Sequence, residues 1–256
     1  MNRRTLLLLA AGAMTAVPAL PAQQKTMPVV GFLSSTAPEP YASRLAAFQS
    51  GLEQAGFVDG RDVAIEYRWA EGDYARLPAM AAELVEHRPN VIVAITTPAA
   101  LAAKAATTTI PIVFEMGTDP VEVGLVASLN RPGGNLTGVS LLNVELAPKR
   151  LELLHEVVPA PIIGLLVNPN NRNAEIISRE TEAAARTLGL TLHVLQAAAE
   201  QDFDPVLAQI TERRINGLVV GSDPFFTRRA RAWPGSFSAA LFRPSTSIAS
   251  LPPLAG

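Results

Sequence analysis

From Val29 onward, short β-branched runs alternate with longer Ala-rich amphipathic runs, and this alternation constrains the fold more than any other feature of the chain. A helix that carries the chain back to its starting edge makes successive strands parallel, so repeated strand–helix–strand units predict an open parallel sheet with helices on its faces. Strands are predicted at 29–33, 63–67, 91–95, 112–114 and 136–142, and helices at 41–55, 74–87, 98–106 and from about 120 to 130. In the first helix Leu45, Phe48, Leu52 and Ala55 fall on one stripe, and Gly56 follows where a helix C-cap belongs. Pro98 suits a first helical turn, where the missing N–H costs nothing.

The pattern then restarts, with helices at 148–158, 174–188 and 205–214 and strands at 162–167, 191–195 and 217–220. Two α/β lobes are therefore expected, an N-terminal one over 28–143 and a second over 144–229. No Gly/Ser-rich tether lies near 142–146, so a tight strand-to-helix crossover is expected there.

Residues 1–22 read as an export signal. Arg3 and Arg4 form the positive start, residues 6–13 a short apolar segment, and Leu20-Pro21-Ala22 a small-residue exit with cleavage expected after Ala22. Arg3-Arg4 also resembles a twin-arginine signal, so the export route stays open. A membrane anchor fits less well, because Pro18 and Pro21 interrupt the run before it comfortably spans a bilayer. The mature product is expected in the periplasm.

At 256 residues, net charge −2 and pI near 6.0, the chain has no basic excess to attract nucleic acid or an anionic membrane. Cysteine is absent, which excludes disulfides, thiolate zinc sites, a thiol nucleophile and a lipid-anchored N-terminal cysteine. No GxGxxG after the first strand, GxxxxGK, GxSxG or HExxH occurs, and His87, His155 and His193 stand far apart. Gly133-Gly134 follows a predicted helix and reads as a turn. No catalytic residue, cofactor or metal is expected.

Open parallel sheets bind ligands beyond the carboxyl ends of their strands, where loops and helix N-termini offer free N–H groups. Those positions hold Ser34-Ser35-Thr36, Thr96-Thr97-Pro98-Ala99, Thr118-Asp119-Pro120 and Ser140 in the first lobe, and Asn168-Pro169-Asn170-Asn171 and Ser222-Asp223 in the second. Short hydroxyl, amide and carboxylate side chains can hold a zwitterion or polyol between two lobes that exclude water. The competing role for Thr97, Asp119 or Asn170 is an ordinary helix N-cap.

Several of these segments, Val30-Gly31-Phe32-Leu33-Ser34-Ser35, Thr97-Pro98-Ala99-Ala100, Thr118-Asp119-Pro120-Val121 and Asn168-Pro169-Asn170, together with the SLNRPGGNLTGVS stretch ending at Ser140, resemble the ABC-transporter substrate-binding family that includes tryptophan/tyrosine-type receptors. The resemblance covers 28–229 and implies a type I periplasmic-binding fold, a hinge, and a small-molecule ligand trapped between two Rossmann-like lobes. It implies a cleft lined by Ser34, Ser35, Thr97, Pro98, Ala99, Asp119, Ser140, Asn168 and Asp223, an ABC permease as partner, and a monomer. Aromatic amino acids are bound by some relatives, and the ligand here stays open.

After Arg229 the resemblance stops, where the family would continue with further elements and return to the first lobe. Residues 233–256 are rich in Ser, Pro and Ala without a period, and one back-translation of 244–256 read in a shifted frame gives IYQYREFAAAGG, a family-like string. A frameshifted, truncated frame with an incomplete second lobe is therefore expected at 230–256. Two other classes stay open: a secreted α/β enzyme on a small polar substrate, and a two-lobed transcriptional sensor, which lacks its basic N-terminal reading head here.

Overall fold

A computed structural model describes residues 27–157 and 162–229. The expected export signal at 1–22 and the tail at 230–256 lie outside the described residues.

In the first half, β1 (Val29–Ser34), β2 (Ala64–Trp69), β3 (Val91–Ile95), β4 (Ile112–Met116) and β5 (Leu136–Ser140) form one sheet in the order β2-β1-β3-β4-β5, every pair parallel. Helix α1 (Pro38–Gln54) joins β1 to β2, α2 (Leu77–Glu86) joins β2 to β3, and α3 (Thr97–Ala106) joins β3 to β4. Alternation sends Phe32 and Leu33 to opposite faces, both fully buried. On the α1 face Phe32 gathers Tyr41, Phe48, Tyr67 and Trp69, with the Phe32 and Trp69 ring centroids 5.2 Å apart. On the other face the small residues Ala81, Ala99, Ala100 and Ala103 of α2 and α3 pack closely against Leu33, Ile92, Ile112 and Phe114. Val113 and Val139 of β4 and β5 stay exposed.

The second half repeats the plan on a smaller scale. Strands β6 (Ile162–Val167), β7 (Thr191–Gln196) and β8 (Gly217–Val220) form a parallel sheet ordered β7-β6-β8. Helices α4 (Ala147–Val157) and α5 (Asn173–Leu188) belong to the core continuous with the first sheet, while α6 (Phe203–Glu212) and α7 (Pro224–Arg229) close a second core around Leu166, Phe203, Phe225 and Phe226. The fold is α/β with two parallel sheets, the second lobe the smaller. A 3-10 turn, Asn143–Leu146, leads from β5 directly into α4.

One predicted helix is corrected. From 120 to 130 the chain makes turns, with Gly124 N–H donating to the Val121 carbonyl (3.0 Å) and Leu125 N–H to that of Pro120 (2.8 Å). Val123, Leu125 and Val126 are all buried, and Gly124 sits at φ +70°, outside the helical region. The strand expected to reach 142 ends at Ser140, and Leu142 turns the chain at φ +50°. The helix expected from 74 opens as a 3-10 turn, Tyr74–Arg76, because Asp73 Oδ1 accepts the Ala75 N–H at 3.1 Å and draws the first turn tight.

Candidate ligand-binding cleft

The strand ends of both sheets face one cavity of about 240 Å³. The first lobe contributes Tyr41 and Arg44 from α1, Thr96 and Thr97 where β3 enters α3, and Glu115 and Met116 from the end of β4. The second contributes Asn171, Asn173, Ser222, Asp223 and Thr227, while Leu141, Asn143 and Val144 close the crossover side.

Thr96 is the most strained residue of this wall. Its φ of +87° and ψ of 158° lie in a region that is nearly glycine's alone, and a β-branched residue there costs about 1–3 kcal/mol. Two contacts hold it: its N–H donates to the Glu115 carbonyl at 2.7 Å, and its hydroxyl is 2.6 Å from that of Ser35. The strain sets the direction in which α3 begins. At the first turn of α3, Thr97 Oγ1 is buried without a hydrogen-bond partner, its residue only 1% exposed. Asn173 Oδ1, at the start of α5 in the second lobe, is likewise buried and unpartnered.

The charged groups of the wall are paired. Glu115 accepts from the Tyr41 hydroxyl at 3.0 Å and from Arg44 at 3.3 Å. Burial, and secondly the Glu115 charge, push the Tyr41 phenol well above its ordinary range. On the opposite wall Asp223 accepts four hydrogen bonds, from Asn168 (3.3 Å), Asn171 (2.8 Å), the Phe225 N–H (2.8 Å) and the Tyr74 hydroxyl (2.8 Å). Desolvation nevertheless lifts its carboxyl above the usual carboxylate range, those four donors pulling the other way. Tyr74 is driven strongly upward, first by burial and then by Asp223.

Of the residues expected to line the cleft, Thr97, Pro98 and Asp223 border the cavity. The others stand at the same strand ends without bordering it. Ser34 bonds Thr36 at 2.8 Å, Ser35 bonds Thr96, and Ala99 is wholly buried under α3. Asp119 Oδ1 accepts the Val121 N–H at 2.7 Å, Ser140 donates to the Thr118 carbonyl at 2.6 Å, and Asn168 holds Asp223. Sequence reading missed Tyr41, Arg44, Glu115, Tyr74 and Asn173. Glu115 carried the one available signal, an acidic residue inside an otherwise apolar strand. Among the described residues no group of three potential metal ligands occurs, and no helix is long and apolar enough to cross a membrane.

Two unequal parallel-sheet lobes with their strand ends turned to one shared cavity of mixed polar and apolar lining define a periplasmic-binding type of fold, built to enclose a small solute. Residues 38–228 match the family described as ABC transporter substrate binding protein, and the chain belongs to that family. Its members bind solute and do not transform it, which sets aside the secreted-enzyme alternative. A tyrosine-binding protein of Clostridioides difficile (strain R20291) is 40% identical over 131 residues, which is 50% of this chain and 37% of that protein. The match thus spans little more than a third of that relative's length. The structure of an ABC domain from Streptococcus pneumonia in complex with L-Trp is 25% identical, with a TM-score of 0.73 over 83% of this chain and 71% of that one. A conserved domain protein from Vibrio cholerae O1 biovar eltor is 29% identical, with a TM-score of 0.71 over 84% of this chain and 71% of that one.

Proposed function

We propose that this chain captures an amino acid, of the aromatic class, between its two lobes and delivers it to an ABC permease, after export to the periplasm and cleavage near Ala22. The observation that carries the reading is that two residues lining one cavity, Thr97 from the first lobe and Asn173 from the second, each hold a buried, unpartnered polar atom, Thr97 Oγ1 and Asn173 Oδ1. An unsatisfied buried polar atom costs about 1–3 kcal/mol, so a solute able to satisfy both is favoured by relief of that penalty. A zwitterion has the right chemistry. Its carboxylate suits the Thr97 hydroxyl and the free N–H groups of the α3 first turn, and its ammonium suits the Asn173 carbonyl oxygen. Tyr41, Met116, Leu141 and Val144 offer apolar wall to the side chain. The relatives that bind tyrosine and L-Trp support the aromatic class.

In this reading Ser34, Ser35, Ala99, Asp119, Ser140 and Asn168 shape the loops that carry the contact residues, and the lobes of 28–143 and 144–229 hinge at the 143–146 turn. Titration calorimetry of the purified chain with L-tyrosine, L-tryptophan, L-phenylalanine, L-leucine and L-glutamate tests it. One-to-one binding of the aromatic amino acids in preference to the other two is expected. A folded chain that gives no heat with any aromatic amino acid overturns the reading.

A further inference from the structure

The Asp223 carboxylate has no room left. A carboxylate oxygen accepts about two hydrogen bonds, and here Oδ1 takes Asn168 and the Phe225 N–H while Oδ2 takes Asn171 and the Tyr74 hydroxyl. A solute ammonium could bind this group only by displacing a donor. Three of the donors sit in the second lobe with Asp223. The fourth, Tyr74, follows β2 of the first lobe and does not border the cavity.

Other contacts converge on the same place. A Cβ added to Gly72 would lie 3.0 Å from the Phe225 Cα, so the 71–74 loop rests directly on the backbone of α7. Arg228 of α7 reaches back to the Glu71 carboxylate at 2.9 Å and to its carbonyl at 3.0 Å. The loop is in turn tied to the end of β1, Glu71 N–H donating to the Thr36 carbonyl (3.0 Å) and Gly72 N–H to that of Ser35 (2.8 Å). Ser35 is also the residue that holds Thr96, next to the orphaned Thr97 hydroxyl. One turn, 34–36, therefore supports both the solute-facing start of α3 and the loop that carries Tyr74.

We propose that Tyr74 and Asp223 form a latch between the lobes that holds the cleft shut around its solute, so that Tyr74 acts as a positioning residue and Asp223 grips the opposite lobe. The proposal rests on the reading of the cleft as a solute site, and it predicts a division of effects. The latch favours the closed cleft with or without solute, whereas solute enters through the open form, so its loss speeds release and does not slow capture. A hydrogen bond to a charged group is worth roughly tenfold or more in an equilibrium constant.

The absence of native cysteine permits a direct test on the full chain. Spin labels on Arg61→Cys and Glu212→Cys, one exposed site per lobe, report the interlobe distance by pulsed electron paramagnetic resonance, with and without L-tyrosine. Against that background Tyr74→Phe is expected to lengthen the mean distance without ligand and to raise the L-tyrosine dissociation rate about tenfold, with the association rate not reduced. Asp223→Asn is expected to act in the same direction, and the double variant to be no worse than the more severe single one. Unchanged distances and dissociation rates in both single variants overturn the latch, as do additive losses in the double variant. If the parent chain binds no amino acid, the solute reading falls while the ligand-free distances still decide the latch.

Discussion

Replacing Thr97 with valine separates ligand binding from folding by giving the two opposite signs. The residue is 1% exposed and its hydroxyl has no partner, so folding takes that hydroxyl out of water with nothing to compensate it. Valine fills nearly the same space with a methyl group that has no hydrogen bonds to lose. Penalties for unsatisfied buried groups run about 1–3 kcal/mol, and the low end suits a group at a helix N-terminus beside a cavity, giving a gain of about 1 kcal/mol. For a chain of this size that raises the ligand-free Tm by about 2–4 °C. A bound carboxylate loses a charge-assisted hydrogen bond of about 1.5–3 kcal/mol, which weakens binding about tenfold to a hundredfold. Thermal unfolding by circular dichroism without ligand and calorimetry with L-tyrosine measure the two arms. A Tm that falls, or an affinity that does not change, refutes the assignment of this hydroxyl to the solute.

Gly72→Ala is expected to cost stability and affinity together, because φ of +84° disfavours a side chain by about 1–2 kcal/mol and the new Cβ meets the Phe225 backbone; thermal unfolding and calorimetry both read it, and an unchanged affinity speaks against the docked loop. Asp223 titrates above the unfolded carboxylate range, so as pH falls through that raised value the folded chain takes up the proton first and this group adds stability, which is lost again as pH rises through the same window. Protonation also removes an acceptor from Tyr74, the titratable group bonded to it, so L-tyrosine release is expected to quicken over that window; Asp223→Asn should flatten both pH profiles, and a profile that persists in the variant assigns the effect elsewhere. Thr96→Gly is expected to leave the unfolding free energy within about 1 kcal/mol of the parent, strain relief offsetting the lost Ser35 bond and the added freedom of the unfolded chain; a much larger loss in thermal unfolding argues that the hydroxyl outweighs the strain.

The sheets were legible because the strands carry their own apolar runs, so the eight strands among the described residues could be placed from local pattern. The turns at 120–130 defeated that reading, since a run of apolar residues between Pro120 and Asn130 fits a helix by length, and what excludes it is the positive φ at Gly124 and the turn hydrogen bonds around it. Strand-end polarity led to Thr97, Pro98 and Asp223 because loops after parallel strands must lie at one edge of a sheet. It could not lead to Tyr74, whose meaning depends on a partner 149 positions away. Nor could it lead to Glu115, which lies one residue past the predicted strand at 112–114 and reaches the cavity as β4 ends beside α1.

A cleft that opens and closes needs two kinds of polar group, and this one keeps them apart. On the proposed reading, a group that binds solute is short of protein partners, which fits Thr97 and Asn173. A group that joins the lobes is fully partnered when they meet, and the proposed latch gives that part to Asp223, with its four hydrogen bonds. One residue could not do both without each role weakening the other, since an ammonium that displaced Tyr74 would release the contact that retains it. The strained Thr96 fits between them: its conformation turns α3 toward the cavity, and the same Ser35 that restrains it receives the loop bearing Tyr74. The strain at the solute-facing wall is thus restrained by the turn on which the interlobe contact depends.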